Sequence, residues 1–171
     1  MPGKIDCIDV CGGRRRTPLP NCYFEDCQVG EKLTTPGRTI TEADVVMFAA
    51  FTGDWHPVHT NKEFARTSAF GERIAHGLLA LVVGDALAYR LGHHGFGLLP
   101  KSTIALCGME KVRFLRPVKI GDTLFLQAEI FQLMKTRQNS GIITLRNRIK
   151  NQHQEDVITY LLKVLAGCRQ A

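Results

Sequence analysis

The chain has 171 residues, of which 44% are hydrophobic and 22% charged, and its formal net charge is +6. These values are typical of a globular chain long enough for one domain with its own core. No uninterrupted apolar run reaches the roughly 18 residues of a membrane span. The basic residues are scattered, apart from three arginines at 14–16. We therefore expect neither a membrane protein nor a nucleic-acid-binding protein, although the charge suits an acidic ligand such as a phosphorylated cofactor.

The six cysteines match neither a zinc spacing nor a haem spacing, and a chain of this length does not need disulfides. The N-terminus lacks the charged and then apolar pattern of a secretory signal. We therefore expect reduced thiols and a cytoplasmic location. Residues 1–20 contain Gly, Pro and Arg clusters without a period, which predicts a loosely ordered leader before one domain over 21–171.

The first predicted helix has clear signals at both ends. Thr41 with Asp44 three residues later forms a capping-box pattern, and Gly53 is placed to end the helix. Ile40 and Val45 are spaced as a hydrophobic staple. Pro57 is expected to prevent the helix from resuming at once, so residues 54–59 are predicted to form a stiff loop. A short helix at most follows within 61–71.

Residues 75–91, "AHGLLALVVGDALAYRL", are apolar almost all the way round. Such a helix is either buried on all sides or membrane-spanning, and its polar residues argue against lipid. We predict a central core helix over this range. In the Gly-rich loop that follows, His93 and His94 are expected to be solvated.

From residue 104 onward the apolar period changes to two, as in "TLFLQAEIF" at 123–131. Four strands are predicted in the stretches 106–118, 123–131, 141–150 and 156–166. The turns between them are short, at 118–122 and 136–141, so the strands are antiparallel. One further strand is expected within 30–40. The predicted class is α+β, with a curled antiparallel sheet wrapped around the long helix.

The stretch "FTGDWHPVHTNKEFARTSAFGERIAHGLL" at 51–79 resembles the MaoC-like, or (R)-specific enoyl-CoA hydratase, family of hotdog-fold proteins. The similarity rests on "GDWHPVH", on "FGERIAHG" and on the turn "RPVKIGDTL", and it covers the chain except for the leader. The resemblance implies a single hotdog domain. It also implies a dimer or higher homo-oligomer, with the site at or near the subunit interface.

The resemblance also implies roles for particular residues. Asp54 and His59 match the family's acid–base dyad, and Gly77 matches the residue whose N–H binds the thioester carbonyl. His56 stands where the family motif has Asn, which is the one clear departure. It adds a bulkier side chain of a type that titrates near neutrality.

Other candidates each have a structural alternative. Trp55 and Phe70 either wall the acyl site or simply pack. His76 is expected to hydrogen-bond the loop. Asp85, a carboxylate in an apolar helix, is expected either to line the acyl pocket or, preferably, to lie at a subunit interface. Three cations are either contacts for coenzyme A phosphates or solvated: Arg113, Arg116 and Lys119.

The implied reaction is addition of water to a 2-enoyl thioester, or its reverse, with coenzyme A present only as part of the substrate. It requires no metal and no redox cofactor. The alternatives are a thioesterase on the same fold and a non-catalytic acyl-CoA binding subunit. A metal hydrolase using the Asp and His side chains of the loop is disfavoured, because His56 and His59 lie on a Pro-interrupted loop rather than at helical i, i+4 spacing.

Overall fold

A computed structural model describes residues 22–91, 97–136 and 139–169, except for the side chain of residue 90. Its α-helices are α1 (Glu42–Thr52), α2 (Pro57–Thr60), α3 (Lys62–Thr67) and α4 (Gly77–Ala86). Short 3₁₀ turns cover Phe24–Asp26 and Leu87–Arg90. The strands are β1 (Lys32–Thr34), β2 (Arg38–Thr39), β3 (Thr103–Phe114), β4 (Thr123–Lys135), β5 (Ser140–Lys150) and β6 (Asp156–Gly167). The predicted leader, His93, His94 and part of the turn at 136–141 lie outside the described residues.

The strands form one antiparallel sheet in the order β1-β4-β5-β6-β3, and β2 also pairs with β4. The register places inward-facing apolar residues opposite one another, for example Leu126 with Ile149 and Leu145 with Leu162. The four predicted strands after residue 104 are thereby confirmed. Among the described strands, β3 has a neighbour on one side only, and its pairing with β6 is interrupted by three register shifts.

The core lies between the inner face of this sheet and α4. Five inward-facing residues of β4 and β5 are completely buried: Leu124, Leu126, Ile130, Ile143 and Ile149. Gly84 lets α4 approach closely, because an added Cβ would lie 2.7 Å from Cγ1 of Ile149. The α+β class with a sheet around a helix is therefore confirmed.

The segment before the helices differs from the expected single strand. It forms two short strands, β1 and β2, that pair with different parts of β4. Pro36 and Gly37 lie between them, and an added Cβ on Gly37 would lie 2.7 Å from Cε1 of Phe125. The chain therefore breaks where proline removes a donor and glycine permits a close approach to β4.

Helix α1 has the predicted ends. Thr41 Oγ1 accepts a hydrogen bond from the Asp44 N–H at 3.4 Å, and Asp44 Oδ2 accepts one from the Thr41 N–H at 2.8 Å. Gly53 ends the helix with a left-handed φ of 78°. Ile40 and Val45 are both fully buried.

Two expectations for the central helix are wrong. The α-helix covers 77–86 rather than 75–91, and it tightens into a 3₁₀ turn at Leu87–Arg90. It is also not buried on all sides, since Leu78 and Val82 are each 60% exposed. The sheet covers only one side of the helix, so the opposite apolar side has no cover from the described part of this chain. No helix in the described ranges has the length and apolar character needed to cross a membrane.

Asp85 lies on α4 and faces the sheet of its own chain. Its Oδ1 accepts hydrogen bonds from the Tyr160 hydroxyl at 2.6 Å and from Asn147 Nδ2 at 3.5 Å. Burial raises the pKa of this carboxyl above its ordinary value, while both hydrogen bonds oppose the shift. These contacts explain the carboxylate without a subunit interface.

Candidate active site

The segment from Gly53 to Thr60 follows α1 and includes α2. The helix does not resume at once, but the stiff loop predicted over 54–59 ends earlier than expected, because Pro57 is the first residue of α2. Proline is tolerated there, since the first N–H of a helix has no intrahelical acceptor and the fixed φ suits the helix. Helix α2 carries His59 and turns it toward the cleft beside α4.

Asp54 is held by its backbone and by a short-range turn. Its Oδ1 accepts a hydrogen bond from the His56 N–H at 3.2 Å, and its backbone carbonyl accepts one from His76 Nε2 at 3.0 Å. The residue is exposed. The carboxylate is therefore oriented by its neighbours while it stays open to water.

His59 is tied to the rest of the domain through one ring nitrogen. Its Nδ1 lies 2.8 Å from the carbonyl oxygen of Ile74, which can only accept, so Nδ1 carries the hydrogen. Burial is the largest cause that lowers the pKa of His59 below its ordinary value, and His76 and His56 add to it. The hydrogen bond to Ile74 and the nearby Asp54 oppose the shift. A neutral His59 thus offers Nε2 as a hydrogen-bond acceptor.

His76 contacts both candidate catalytic residues, Asp54 and His59. It is only 2% exposed, and its ring stacks on that of His59 with centroids 3.9 Å apart. Because Nε2 donates to the Asp54 carbonyl, one imidazole connects the Asp54 turn with the His59 ring. The expected hydrogen bond from His76 to the loop is present. Its Nδ1 is buried and has no partner among the described residues.

Gly77 is the first residue of α4 and contributes to the wall of the cleft. The N–H groups of a first helical turn have no intrahelical acceptor, and they lie at the positive end of the helix dipole. A Cβ at this position would lie 3.1 Å from Cε1 of Phe114. The absence of a side chain therefore leaves the N–H accessible beside an aromatic ring.

A cavity of about 370 Å³ extends from His59 along α4. Among its lining residues are His59, Phe70, Gly77, Ala80, Phe114 and Ile158. Phe70 thus lines this cavity, whereas Trp55 is 54% exposed and does not. Sequence reasoning missed Phe114, Ile158 and the Ile74 carbonyl, because they approach the site only when the sheet folds.

Two of the three cations considered as either phosphate contacts or solvated residues have acidic neighbours. Arg116 lines the cavity and lies 3.4 Å from Glu155, and Lys119 lies 2.6 Å from Glu72. Arg113 is exposed on β3. Of the three, only Arg116 lines the cavity.

The same side chains also lie close enough together to be considered as a cation site. The donor atoms of Asp54, His59 and His76 lie within 4.8 Å of one another. The lone pair of an imidazole nitrogen lies in the ring plane, however. The rings of His59 and His76 are stacked with only 31° between their planes. The lone pairs therefore run side by side rather than converging on one point, which fits an acid–base pair with a supporting ring. That the reaction needs no metal stays a prediction.

Fold and site together define a hotdog-type domain with an Asp–His pair at the N-terminus of its central helix. Residues 26–152 match the MaoC like domain family, and the chain belongs to that family. Protein MaoC of Klebsiella aerogenes is 43% identical over 102 residues, which cover 60% of this chain and 28% of that protein. The chain therefore spans only a part of that relative.

Three further comparisons cover more of this chain and more of the protein it is compared with. The 3-hydroxybutyryl-CoA dehydratase of Methylorubrum extorquens is 35% identical over 121 residues, which cover 70% of this chain and 71% of that protein. An unliganded R-hydratase from Pseudomonas aeruginosa has a TM-score of 0.69 and 32% identity, covering 87% of this chain and 88% of that one. A Mycobacterium tuberculosis protein described as a double hotdog fold has a TM-score of 0.69 at 18% identity, over 86% of this chain and 44% of that one. The hotdog fold is confirmed, and the names of the relatives from Methylorubrum extorquens and Pseudomonas aeruginosa are of the expected hydratase/dehydratase class.

Proposed function

We propose that this protein adds water to a 2-enoyl thioester and removes it from a 3-hydroxyacyl thioester. The observation that supports this most directly is the pairing of a water-exposed Asp54 carboxylate with His59, whose Nδ1 is occupied by the Ile74 carbonyl. Only Nε2 of His59 is then available for chemistry. The names of the relatives from Methylorubrum extorquens and Pseudomonas aeruginosa agree with this reaction.

In the hydration direction, Asp54 and His59 hold one water molecule between the carboxylate and Nε2. Asp54 takes a proton from the water as its oxygen bonds to the β-carbon of the substrate. The proton taken up by Asp54 passes to Nε2 of His59, which delivers it to the α-carbon, so that the carboxylate and the neutral imidazole are both restored. A well-placed acid or base contributes about 10²–10⁴-fold in rate.

The electron pair of the carbon–carbon double bond moves toward the thioester oxygen during the attack. The Gly77 N–H, at the positive end of α4, donates a hydrogen bond to this developing enolate oxygen. A fixed donor of this type stabilises the transition state more than the ground state, because the charge is largest there. The acyl chain then lies along the cavity wall formed by Ala80, Phe114 and Ile158.

The substrate is proposed to be a thioester of coenzyme A or of an acyl carrier, with no separate cofactor. Arg116 at the cavity is the candidate contact for its phosphate groups. A thioesterase would instead direct the water at the thioester carbonyl and release a free thiol. A non-catalytic subunit would bind the thioester without changing it.

One assay separates these functions. Crotonyl-CoA is incubated with the protein while the conjugated enoyl absorbance and free thiol are followed in parallel. Loss of absorbance without thiol release is expected. Thiol release would support the thioesterase, and binding without either change would support the non-catalytic subunit.

We also propose that the protein forms at least a homodimer. The exposed apolar residues Leu78 and Val82 on α4 lie on the same side of the helix, and Ile104, Leu106 and Phe114 on the edge strand β3 are 52–61% exposed. An apolar edge strand next to an apolar helix side suits a second copy of the same chain. Light scattering is expected to give a dimer or larger, and a monomer would contradict the proposal. A cytoplasmic location stays a prediction.

A further inference from the structure

His56, the residue that departs from the family motif, forms the N-cap of α2. Its Nδ1 accepts a hydrogen bond from the Val58 N–H at 3.2 Å. Its backbone carbonyl accepts one from the His59 N–H at 3.0 Å. The same residue therefore holds the start of the helix with its side chain and the catalytic histidine with its backbone.

Helix α2 has only four residues and so has little stability of its own. Its position depends on the cap at His56, on the preset backbone of Pro57 and on two links to Ile74. One link joins His59 Nδ1 to the Ile74 carbonyl at 2.8 Å, and the other joins the Ile74 N–H to the Val58 carbonyl at 3.4 Å. Loss of the cap would leave His59 on a turn with weaker anchorage.

An imidazole serves as this cap only while it is neutral. The cap needs an acceptor at Nδ1, and a protonated imidazole carries a hydrogen on both nitrogens and accepts nothing. An asparagine side chain at the same place would accept through its carbonyl oxygen at any pH, as Asn61 does for the Phe64 N–H of α3 at 3.0 Å. Histidine is a residue type that can change charge between about pH 5 and 8, whereas the asparagine amide does not titrate.

Several ionisable groups face His56 from the surrounding elements. The Asp54 carboxylate accepts from the His56 backbone N–H at 3.2 Å, and the His59 ring lies 6.1 Å away, centroid to centroid. The ring of His76, at the start of α4, stacks on the ring of His59. The remaining ring neighbour is Phe64 of α3, edge-on at 6.1 Å. Charge on His56 is therefore coupled to the same groups that perform the proposed reaction.

We infer that His56 is a positioning residue whose neutral imidazole caps α2 and holds His59 in place, so that protonation of His56 weakens the hydratase. This inference rests on the proposed function for its effect on activity. The cap itself and its dependence on protonation do not.

The first test reads the cap without any assay of activity. The amide signal of Val58 is followed by ¹⁵N–¹H NMR from pH 5 to 8 in the wild type and in His56→Asn. The Val58 amide is expected to titrate together with the His56 ring in the wild type, and this component is expected to vanish in His56→Asn. Any effect of His59 on Val58 remains in both proteins, so their difference reports His56 alone. Identical Val58 titrations would overturn the inference.

The second test measures kcat and KM for crotonyl-CoA over the same pH range in four proteins. His56→Asn is expected to keep the wild-type kcat near pH 8 and to extend activity to lower pH. His56→Ala is expected to lower kcat by about tenfold near pH 8 and by less at lower pH, where the wild type also loses the cap, with little change in KM. Asn61→Ala removes the corresponding cap of the neighbouring helix and is expected to leave the shape of the pH profile unchanged.

Superimposable profiles for the wild type and His56→Asn would overturn the inference, as would a His56→Ala variant with the wild-type kcat. If the Val58 amide titrates as expected but no protein hydrates crotonyl-CoA, the cap is supported and the proposed reaction fails. The two proposals are thus separable.

Discussion

On β4, the side chains of Leu124, Leu126 and Ile130 are fully buried and are held by packing alone. Between α1 and α3, by contrast, Asp54 is exposed and is held by hydrogen bonds from His56 and His76. Packing tolerates small rearrangements as long as volume and pattern are kept, whereas a site held by individual hydrogen bonds changes when one partner is lost. Substitutions in the two regions should therefore separate stability from activity.

The largest expected effect is on activity and lies in the hydrogen-bonded segment. Asp54→Asn and His59→Gln are each expected to lower kcat for crotonyl-CoA hydration by about 10²–10⁴-fold, because each removes an acid–base group. Thermal unfolding should change little, since Asp54 is exposed and His59 is only half-buried. His153→Gln, an exposed histidine in the turn between β5 and β6, is the matched control and should retain full activity.

The next effect lies in the core and is one of stability. Gly84→Ala would bring a methyl group against Ile149 at the contact of α4 with the sheet. We expect it to lower the free energy of unfolding by about 1–3 kcal/mol, the usual cost of overpacking. Urea denaturation measures this, with Ala86→Ser as an equally small change at an exposed position of the same helix. Equal stabilities of the two variants would show that α4 is not pressed against the sheet.

Asp85 combines features of the two regions, since it faces the packed core but is held by hydrogen bonds. Asp85→Leu removes the acceptor for Tyr160 and Asn147, and leaving such groups unsatisfied costs about 1–3 kcal/mol. Asp85→Asn keeps a carbonyl acceptor and should cost less. Because burial raises the pKa of Asp85, the stability gained from its protonated form is lost as pH rises through that raised pKa. The stability of Asp85→Asn relative to the wild type should therefore increase with pH above the ordinary carboxyl range.

The smallest expected effect is a displacement of the pH profile by His59. Its pKa is lowered, chiefly by burial, so the neutral ring persists to a more acidic pH than a free imidazole would. The acid limb of kcat/KM is expected below about pH 6.5, the ordinary histidine value. Measuring the same acid limb of kcat/KM in His56→Asn removes one other histidine beside Asp54 and His59. A limb above the ordinary value would mean that another group controls the acid side.

The same contrast explains which features were predictable from sequence. The alternation of Leu124, Leu126 and Ile130 predicts a strand with one buried face, and Thr41 with Gly53 predicts both ends of α1. These signals are local and act through backbone and burial preferences. The exposed side of α4 was not foreseen, because an apolar sequence does not reveal which sides of a helix its own chain will cover.

The site was predictable in membership but not in geometry. Asp54, His59 and Gly77 match the motif, and the structure places His59 and Gly77 on one cavity, with the Asp54 carboxylate near His59. The Ile74 carbonyl that orients His59 left no sequence signal, because any residue supplies a carbonyl. Phe114 is 37 residues from the Gly77 it covers, so its place depends on the path of the whole sheet.

The most direct test of the Asp54–His59 pair is a double-mutant cycle on crotonyl-CoA hydration. Two groups that act on one water should be strongly non-additive, because removing either already disables the shared step. The double variant Asp54→Asn/His59→Gln is therefore expected to lose about as much kcat as the worse of the two single variants. A loss equal to the product of the two single losses would contradict the pair and would mean that the two residues act independently.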